Sequence, residues 1–386
     1  MCAPSHECWR SAAPSGASGG GITWRTMKAA IFHGPHQPLT TEQVDIDKPI
    51  DHEVVVRVVA SGVCHSDLHF VDGFYEFPAP AILGHEAAGI VEEVGPQVDD
   101  FKPGDHVIAC LSVFCGRCEY CLTGRTNLCQ TRPIRAKDAP PRLKWQDQPV
   151  NQFANLSAYA ERMLVHSNAI VKIRDDMPLD RAALIGCGVT TGVGAALNTA
   201  KVAPGATVAV FGMGGVGLSA VQGARIAGAR MIIGVDVHDH KLETAYELGA
   251  THTINASRLD PVKEIRDLTD GGVEYSFEAI GLKKAAEQCF DALRPGGTAT
   301  IIGMIPMGQK IELDGSVFLR EKKIQGSSMG SNRFKVDMPK YIDFYMQGRL
   351  KLDEMITRRL ELDDLNEALR AMKAGEVARQ VLTFNN

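Results

Sequence analysis

Residues 207–217 read TVAVFGMGGVG, and this stretch decides the fold. Its first five residues are apolar or β-branched and predict a buried strand, and the residues from Val216 onward have the composition of a helix. Gly212, Gly214 and Gly217 give the spacing G-x-G-x-x-G between the two. Glycines at this spacing permit a tight turn and the close approach of a pyrophosphate to the helix N-terminus. The stretch therefore predicts a strand–turn–helix unit that binds a dinucleotide.

The residues after this turn supply the context that the motif requires. A second strand is predicted at 231–235, and Asp236 stands at its end, 19 residues beyond Gly217. A carboxylate there would accept hydrogen bonds from ribose hydroxyls and repel a 2′-phosphate, and Val237 and His238 supply no arginine to receive one. We therefore expect NAD rather than NADP. The candidate contacts in the turn are Gly212, Gly214, Gly215, Val216 and Gly217.

Two different patterns of predicted secondary structure divide the chain. From about 205 onward strands and helices alternate, with further strands predicted at 252–254, 273–278, 298–302 and near Ile324, which indicates a parallel sheet. Before about 110 the pattern is of short strands and turns, including 53–59, 90–95 and 104–108, which predicts an all-β, partly barrel-like unit. The tail predicts helices at 337–346 and 362–373 and a final strand at 380–384.

Composition limits the class of partner. The chain has 386 residues, 45% hydrophobic and 23% charged, which is typical of a globular protein of two or three domains. A net charge of -5 gives no reason to expect nucleic acid or an anionic membrane surface as a partner. We find no run of about 18 apolar residues, so the sequence predicts no membrane span.

Residues 1–26 differ from the rest, being rich in Ser, Gly, Ala and Pro without apolar periodicity. We expect a disordered extension that contains an upstream start, with a short targeting peptide as the alternative, and Met27 opening the first strand. The ten cysteines do not follow a secretion signal, and four of them lie in one short loop. This pattern favours metal ligation in a reducing compartment, so we predict a cytoplasmic location.

That loop contains the first candidate metal site. Cys115, Cys118, Cys121 and Cys129 have the spacing C-x2-C-x2-C-x7-C. Four thiolates satisfy the tetrahedral preference of Zn²⁺ and leave no open position, which is typical of a structural site. An iron–sulfur cluster and four unrelated buried cysteines are the alternatives.

A second candidate metal site is scattered along the chain. Cys64, His85 and Cys187 offer two thiolates and one imidazole, which leave a fourth position on zinc open, as in catalytic sites. Glu86 is a candidate for an occasional fourth ligand or for a charge close to the metal. Asp67 is placed to accept the second N–H of the His85 ring and fix its tautomer.

With these residues in place, the chain closely resembles the zinc-dependent medium-chain alcohol dehydrogenases from about Met27 to its C-terminus. The resemblance covers both cysteine-containing sites, the glycine turn and their order along the chain. It implies an α/β fold with a GroES-like all-β catalytic domain at 27–187 and 329–386. A Rossmann coenzyme domain with a doubly wound parallel sheet would occupy 188–328, and the active site would lie between the two domains.

The resemblance implies specific roles. Cys64, His85 and Cys187 match the catalytic zinc ligands, while Ser66 matches the hydroxyl that contacts the substrate oxygen and His69 the outer proton-transfer group. For the cofactor, Asp236 and Lys241 match adenosine-ribose contacts, and His65 and Arg379 match pyrophosphate contacts. Many members carry an arginine where this chain has His65, and the shorter side chain is expected to weaken cofactor binding.

The resemblance also indicates the substrate class. The implied pocket positions, Tyr75, Leu111, Met304 and Met329, are apolar or aromatic, so we expect reversible oxidation of a hydrophobic primary or aromatic alcohol to the aldehyde. The related glutathione-dependent formaldehyde dehydrogenases carry acidic residues where this chain has residues 73–75, Gly-Phe-Tyr. A thiol adduct such as S-hydroxymethyl-glutathione is therefore the alternative substrate.

Two alternatives of other classes are weighed against this one. A non-catalytic zinc- and nucleotide-binding protein of the same fold should lack Cys64, Ser66 or Cys187, and all three are present. A zinc-free reductase of the same fold should lack the four-cysteine loop. The 57 residues between Cys129 and Cys187 leave room for the long substrate loop of dimeric members. We therefore expect a homodimer, with a homotetramer as the alternative.

Overall fold

The structure is a computed structural model that describes residues 24–135 and 139–385. The predicted extension therefore lies outside the described residues except for its last three positions. The first strand begins at Arg25, two residues before the predicted start at Met27.

The described residues form three sheets with helices. The strands are β1 Arg25–Phe32, β2 Thr40–Ile46, β3 Glu53–Val63, β4 Ala81–Ile82, β5 Glu86–Val94, β6 His106–Ala109, β7 Leu143–Trp145, β8 Gln148–Pro149, β9 Asn151–Gln152, β10 Arg162–His166, β11 Ile170–Lys172, β12 Thr207–Phe211, β13 Met231–Asp236, β14 His252–Asn255, β15 Val273–Glu278, β16 Leu293–Ile301, β17 Lys323–Gly326, β18 Ile356–Leu360 and β19 Arg379–Thr383. The α-helices are α1 His65–Val71, α2 Glu119–Leu122, α3 Leu179–Leu184, α4 Thr190–Gly194, α5 Gly215–Ile226, α6 Asp239–Leu248, α7 Pro261–Thr269, α8 Lys283–Asp291, α9 Phe334–Met346 and α10 Leu365–Lys373.

The sheet of the C-terminal half is parallel, as the strand–helix alternation predicts. Its order is β14-β13-β12-β15-β16-β17, with β12 in the middle and fully buried. The chain moves outward from β12 in one direction through β13 and β14, and in the other through β15, β16 and β17. A crevice forms at the carboxyl ends of the strands where the order reverses, and the glycine turn after β12 lies there.

The other two sheets build the predicted all-β unit. One has the order β11-β6-β5-β3-β19-β18 with β10 also pairing with β3, and the other has the order β8-β7-β2-β1-β4-β9. Apolar side chains of β1, β3 and β10 fill a shared core between them. The last strand, β19, pairs antiparallel with β3, so the C-terminal residues return to the N-terminal half. The exact domain boundaries at 187 and 329 stay a prediction.

The helical run Leu179–Thr199 is irregular. Two π-helical segments, Ile185–Val189 and Ala195–Thr199, follow α3 and α4 respectively. Such segments inside helices are frequent at functional sites, and the first one contains Cys187. The whole run Leu179–Thr199 is long and apolar enough to cross a membrane by composition, but 83% of its most apolar window is buried inside the fold. It therefore has the burial of a core helix.

Candidate active site and metal centres

The scattered site is assembled by the pairing of β3 with β5. Gly62 near the end of β3 lies opposite Glu86 at the start of β5, so Cys64 and His85 meet just beyond the paired region. Cys64 lies between the end of β3 and the start of α1. Cys187 approaches from the π-helical segment.

The structure brings all four predicted ligands together. One ligand atom from each of Cys64, His85, Glu86 and Cys187 lies within 4.8 Å of the others, and all four residues are buried. Two thiols, one imidazole and one carboxylate at this separation form a donor set that suits a single Zn²⁺.

The orientation of His85 fits a metal ligand. Its Nδ1 lies 3.1 Å from Oδ1 of Asp67, whereas its Nε2 is buried without a hydrogen-bond partner among the described residues. Asp67 is itself held by two donors, the backbone N–H of Gly84 at 3.1 Å and the hydroxyl of Tyr159 at 2.8 Å. A carboxylate that fixes one ring nitrogen leaves the other free to bind metal.

Tyr159 is a residue that the sequence did not single out. It is completely buried, and its hydroxyl donates to the oxygen of Asp67 that does not face His85. Burial, together with the nearby Asp67 charge, raises the pKa of the Tyr159 hydroxyl well above its ordinary value, so it remains a donor. The sequence gives no signal for it, because Tyr159 lies 92 positions from Asp67 in an unremarkable segment.

The electrostatics of the cluster favour a thiolate. A hydrogen bond with Cys187 lowers the pKa of the Cys64 thiol well below its ordinary value, in spite of burial, and the nearby His85 and Arg379 add to the effect. Thiolates are the form in which cysteines bind metal. The same hydrogen bond, together with burial, raises the pKa of the Cys187 thiol well above its ordinary value, so the negative charge of the pair lies on Cys64.

Glu86 lies in the cluster, but both of its oxygens have other partners. Its Oε2 forms a buried ion pair with Arg379, and its Oε1 accepts the backbone N–H of Gly188 at 3.2 Å. Glu86 thus contributes negative charge close to the metal position. Direct coordination by Glu86 stays a prediction.

The four cysteines of the loop formed by residues 115–129 also lie together. The Sγ–Sγ distances are 3.9 Å for Cys115–Cys121, 3.5 Å for Cys118–Cys121 and 3.8 Å for Cys118–Cys129. A tetrahedron with metal–sulfur bonds of about 2.3 Å has edges of about 3.8 Å. The spacing fits one zinc ion and leaves no room for a cluster of several irons.

Hydrogen-bond donors around the loop lower the pKa of two of its thiols, those of Cys115 and Cys118. The hydroxyl of Thr131, 3.0 Å from Cys115 Sγ, and the backbone N–H of Arg117 lower the pKa of the Cys115 thiol to about 5. The backbone N–H of Cys115 donates in turn to Cys129 at 3.3 Å. These bonds stabilise negative charge on sulfur before any metal binds.

The glycine turn has the geometry expected of a dinucleotide site. Gly212 has a φ of 95°, and a Cβ on Gly217 would lie 1.7 Å from the carbonyl oxygen of Gly212, so both positions require glycine. The carboxylate of Asp236 lies beside the turn and accepts the backbone N–H of Met213 at 2.7 Å. Asp236 and the glycine turn, both predicted from the sequence, are therefore in contact.

The remaining predicted cofactor contacts surround this crevice. Arg379 packs against the turn, since a Cβ on Gly215 would lie 2.4 Å from its Cδ. His65 lies close enough to Lys241 for the ammonium to contribute to lowering the pKa of His65, although burial is the larger cause. Arg379 thus links the glycine turn to Glu86 at the metal cluster.

The predicted proton-transfer and pocket residues lie around the same cluster. Ser66 and His69 occupy neighbouring turns of one side of α1. Ser66 Oγ lies 3.4 Å from Met304 Sδ, and Tyr75 donates its hydroxyl to the carbonyl of Ile305 at 3.2 Å. The ring of His69 lies against those of His65 and Tyr75, with centroids 5.3 and 5.9 Å apart.

The two remaining predicted pocket positions, Met329 and Leu111, lie in different places. Met329 Sδ lies 3.7 Å from Cys187 Sγ and 3.4 Å from the hydroxyl of Thr191. Leu111 is partly buried against the core of the all-β unit.

Glu278 is a second residue that the sequence did not single out. It ends β15 and is completely buried, and one of its oxygens accepts the backbone N–H groups of Ile280 and Gly281 at 2.9 and 2.7 Å. The other accepts the N–H of Gly303 at 3.2 Å, next to Met304. Glu278 thus joins two loops at the carboxyl edge of the parallel sheet. An acid at the last position of a predicted strand is the signal that could have identified it.

Comparisons with known proteins agree with this geometry. A family model described as zinc-binding dehydrogenase matches residues 215–346, and one described as alcohol dehydrogenase GroES-like domain matches residues 50–175. An alcohol dehydrogenase class-3 from Zea mays is 39% identical over 371 residues, covering 93% of this chain and 97% of that protein.

Solved structures extend the likeness to three dimensions. An alcohol dehydrogenase zinc-binding domain protein from Burkholderia ambifaria has a TM-score of 0.90 at 36% identity, covering 94% of this chain and 100% of that chain. Benzyl alcohol dehydrogenase from Acinetobacter calcoaceticus has a TM-score of 0.89 at 34% identity, covering 93% and 99%. The predicted fold class, a GroES-like unit with a parallel nucleotide-binding sheet, is confirmed.

Proposed function

Because the chain belongs to the zinc-dependent medium-chain alcohol dehydrogenase family, we propose that it reversibly oxidises a hydrophobic primary or aromatic alcohol to the aldehyde with NAD. We propose two zinc ions per chain, one held by Cys64, His85 and Cys187 and one by the four-cysteine loop. The observation that carries the proposal is the buried donor set with a free His85 Nε2, close to a glycine turn that fits a dinucleotide.

The two bound groups would divide the chemistry between them. When bound, zinc would stabilise negative charge on the substrate oxygen and the nicotinamide would accept hydride. The chain's own residues would orient the reactants and move the proton. Ser66 Oγ would accept the hydroxyl proton of the alcohol while giving up its own, and the imidazole of His69 would take up the released proton and pass it toward solvent. Asp67 would hold His85 in the tautomer that leaves Nε2 free.

The pocket contacts support an apolar substrate. Met304 next to Ser66 and Met329 next to Cys187 present thioethers on two sides of the reacting position. Tyr75 adds an aromatic ring whose hydroxyl is already bound to Ile305. Methionine and aromatic side chains bind hydrophobic groups well and adapt to their shape. A benzyl-type alcohol is a suitable probe, and benzyl alcohol is the substrate in the name of the structural relative from Acinetobacter.

The position of Asp236 supports NAD over NADP. Its carboxylate lies at the end of β13 and beside the glycine turn, where the ribose of a dinucleotide would lie. Asp236→Gly should raise the KM for NAD and reduce the NAD preference by roughly tenfold, because one charged hydrogen-bond acceptor is lost. An unchanged NAD to NADP ratio of kcat/KM would contradict the role of Asp236.

The test of the proposed reaction is a steady-state panel of aliphatic and aromatic alcohols and aldehydes with NAD(H) and NADP(H), each with and without glutathione. We expect the highest kcat/KM for aromatic or long-chain primary alcohols with NAD, independent of glutathione. Activity with formaldehyde that requires glutathione would instead support the thiol-adduct substrate. Zinc per chain, measured on the same preparation, tests the two-site assignment.

A further inference from the structure

A short turn, Met329–Ser331, carries the pocket residue Met329 and has an unusual backbone. Met329, Gly330 and Ser331 have φ values of 50°, 65° and 48°, so three consecutive residues occupy the left-handed region. For residues other than glycine this conformation is strained, and it persists where the surroundings impose it. The contacts around the turn therefore determine where Met329 points.

One side of the turn rests on the backbone of α4. A Cβ on Gly330 would lie 2.2 Å from the carbonyl oxygen of Thr190 and 2.8 Å from Cα of Gly194, so the two backbones touch without side chains between them. This contact brings the Met329 thioether to Thr191 and Cys187. It fixes the depth of the turn, but it leaves the flanking residues to be held by other groups.

The other side is held by the four-cysteine loop. Asn127 is 5% exposed, and its Nδ2 donates to the carbonyl of Ser328, immediately before the turn, at 3.1 Å. The hydroxyl of Thr126 donates to the carbonyl of Asn332, immediately after the turn, at 3.3 Å. Two adjacent residues of one loop thus hold both ends of the turn.

Asn332 holds the turn from its buried side. Its side chain is fully buried, and its Nδ2 donates to the carbonyl of Met329 at 2.8 Å and lies 3.0 Å from the hydroxyl of Ser112. The carbonyl of Gly330 accepts in turn from Asn198 Nδ2 at 3.3 Å. Within the part of the chain that the structure describes, two of the four side-chain donors to carbonyls of residues 328–332 therefore come from the four-cysteine loop.

We propose that Thr126 and Asn127 are positioning residues for the substrate pocket, which hold Met329 against Cys187 and so limit the size of the alcohol that is accepted. The proposal rests on the proposed alcohol dehydrogenase function. It gives the four-cysteine loop a role in specificity besides its role in stability, because the same loop that wraps the metal supplies the donors to the turn.

The experiment compares Asn127→Ala and Thr126→Val with a matched control from the same loop. Thr123→Val is the control, because among residues 24–135 and 139–385 the Thr123 hydroxyl bonds only to Glu119 and Tyr120, which lie inside the loop. The readout is the ratio of kcat/KM for 2-naphthalenemethanol to that for benzyl alcohol. Loss of one hydrogen bond should raise this ratio about 2- to 10-fold, mainly through KM, in both variants and not in the control.

A second readout does not depend on activity. Amide hydrogen exchange of residues 328–332 should be faster in Asn127→Ala and Thr126→Val than in wild type, and unchanged in Thr123→Val. If Asn127→Ala fails to fold or to keep its metal, Thr126→Val decides the question, since it removes one hydroxyl and keeps the side-chain volume.

A double-mutant cycle with Met329→Ala separates positioning from a general structural effect. With Met329 truncated, Asn127→Ala should no longer change the substrate ratio, because its effect acts through Met329. An unchanged ratio in both loop variants, or the same ratio change with and without Met329, would overturn the proposal. Wild type that oxidises no alcohol at all would instead contradict the proposed function, while the exchange readout would still test the positioning contacts.

Discussion

The two candidate metal centres contain similar donors but are built in opposite ways. The proposed catalytic cluster collects Cys64, His85 and Cys187 from three separate elements and buries all three. The four-cysteine loop closes on itself within 15 residues, and three of its cysteines remain partly exposed. One centre therefore depends on the fold, whereas the other shapes a loop that has little core of its own.

The difference explains how charge is stabilised at each centre. In the buried cluster, side chains from distant positions stabilise negative charge. Cys187 forms a hydrogen bond with Cys64, and Arg379 forms an ion pair with Glu86. In the loop, backbone N–H groups and the Thr131 hydroxyl donate to the sulfurs. We therefore expect substitutions in the first centre to affect chemistry and substitutions in the second to affect stability.

Cys187→Ser should have the largest effect on turnover. Loss of a catalytic zinc ligand is expected to lower kcat/KM by at least about 1,000-fold, because stabilisation of charge on the substrate oxygen is worth several kcal/mol. Metal content should fall by one equivalent, with the four-cysteine loop still loaded. The control is Cys289→Ser, a buried cysteine in α8 outside both centres. Full activity of Cys187→Ser after metal loss would contradict the assignment.

Cys118→Ser should lower stability more than it lowers catalytic activity. It is expected to remove the other metal equivalent and to lower the free energy of unfolding by a few kcal/mol, or about 5–10 °C in Tm. The remaining folded enzyme should keep most of its kcat. Differential scanning fluorimetry and metal analysis on both cysteine variants test the contrast, which fails if Cys118→Ser abolishes chemistry without a change in Tm.

Asp67→Asn should weaken the buried centre without removing a ligand. The amide cannot replace a carboxylate that holds His85, Gly84 and Tyr159 together, so zinc affinity or activity should fall about 10- to 100-fold. Tyr159→Phe removes only the outer hydroxyl and should cost less. Zinc affinity is measured by competition with a chelator. Equal losses of affinity in both variants would contradict the prediction that Asp67→Asn has the larger effect.

His69→Gln should have the smallest effect at neutral pH. Burial and the nearby His65 lower the pKa of His69, so its imidazole is neutral at pH 7 and able to accept a proton. Activity that depends on this group should be lost as pH falls through the lowered pKa. In the variant, kcat/KM should no longer fall on the acid side of its pH profile. The rate at neutral pH should fall less than about tenfold. His52→Gln, at an exposed position, is the control; an unchanged limb would remove His69 from proton transfer.

Local patterns in the sequence were enough to predict several features. The glycine turn after β12, the parallel sheet around it and the four-cysteine loop each follow from residues that are close along the chain. The grouping of Cys64 and His85 with Cys187, more than 100 positions away, was a hypothesis from donor chemistry that the family resemblance then supported. No local pattern could have supplied that pairing, because it depends on β3 meeting β5 and on the π-helical segment.

What the sequence by itself determined is the set of chemical groups: two metal-binding donor sets, a dinucleotide turn with an acid at the correct distance, and a hydroxyl with an imidazole three residues on. The tertiary structure decided how those groups are held. Tyr159 behind Asp67, Glu278 across two loops and Asn127 on the Met329 turn act between segments far apart in the chain. Burial makes such polar contacts necessary, because a buried polar atom without a partner is costly, and burial is a property of the folded chain.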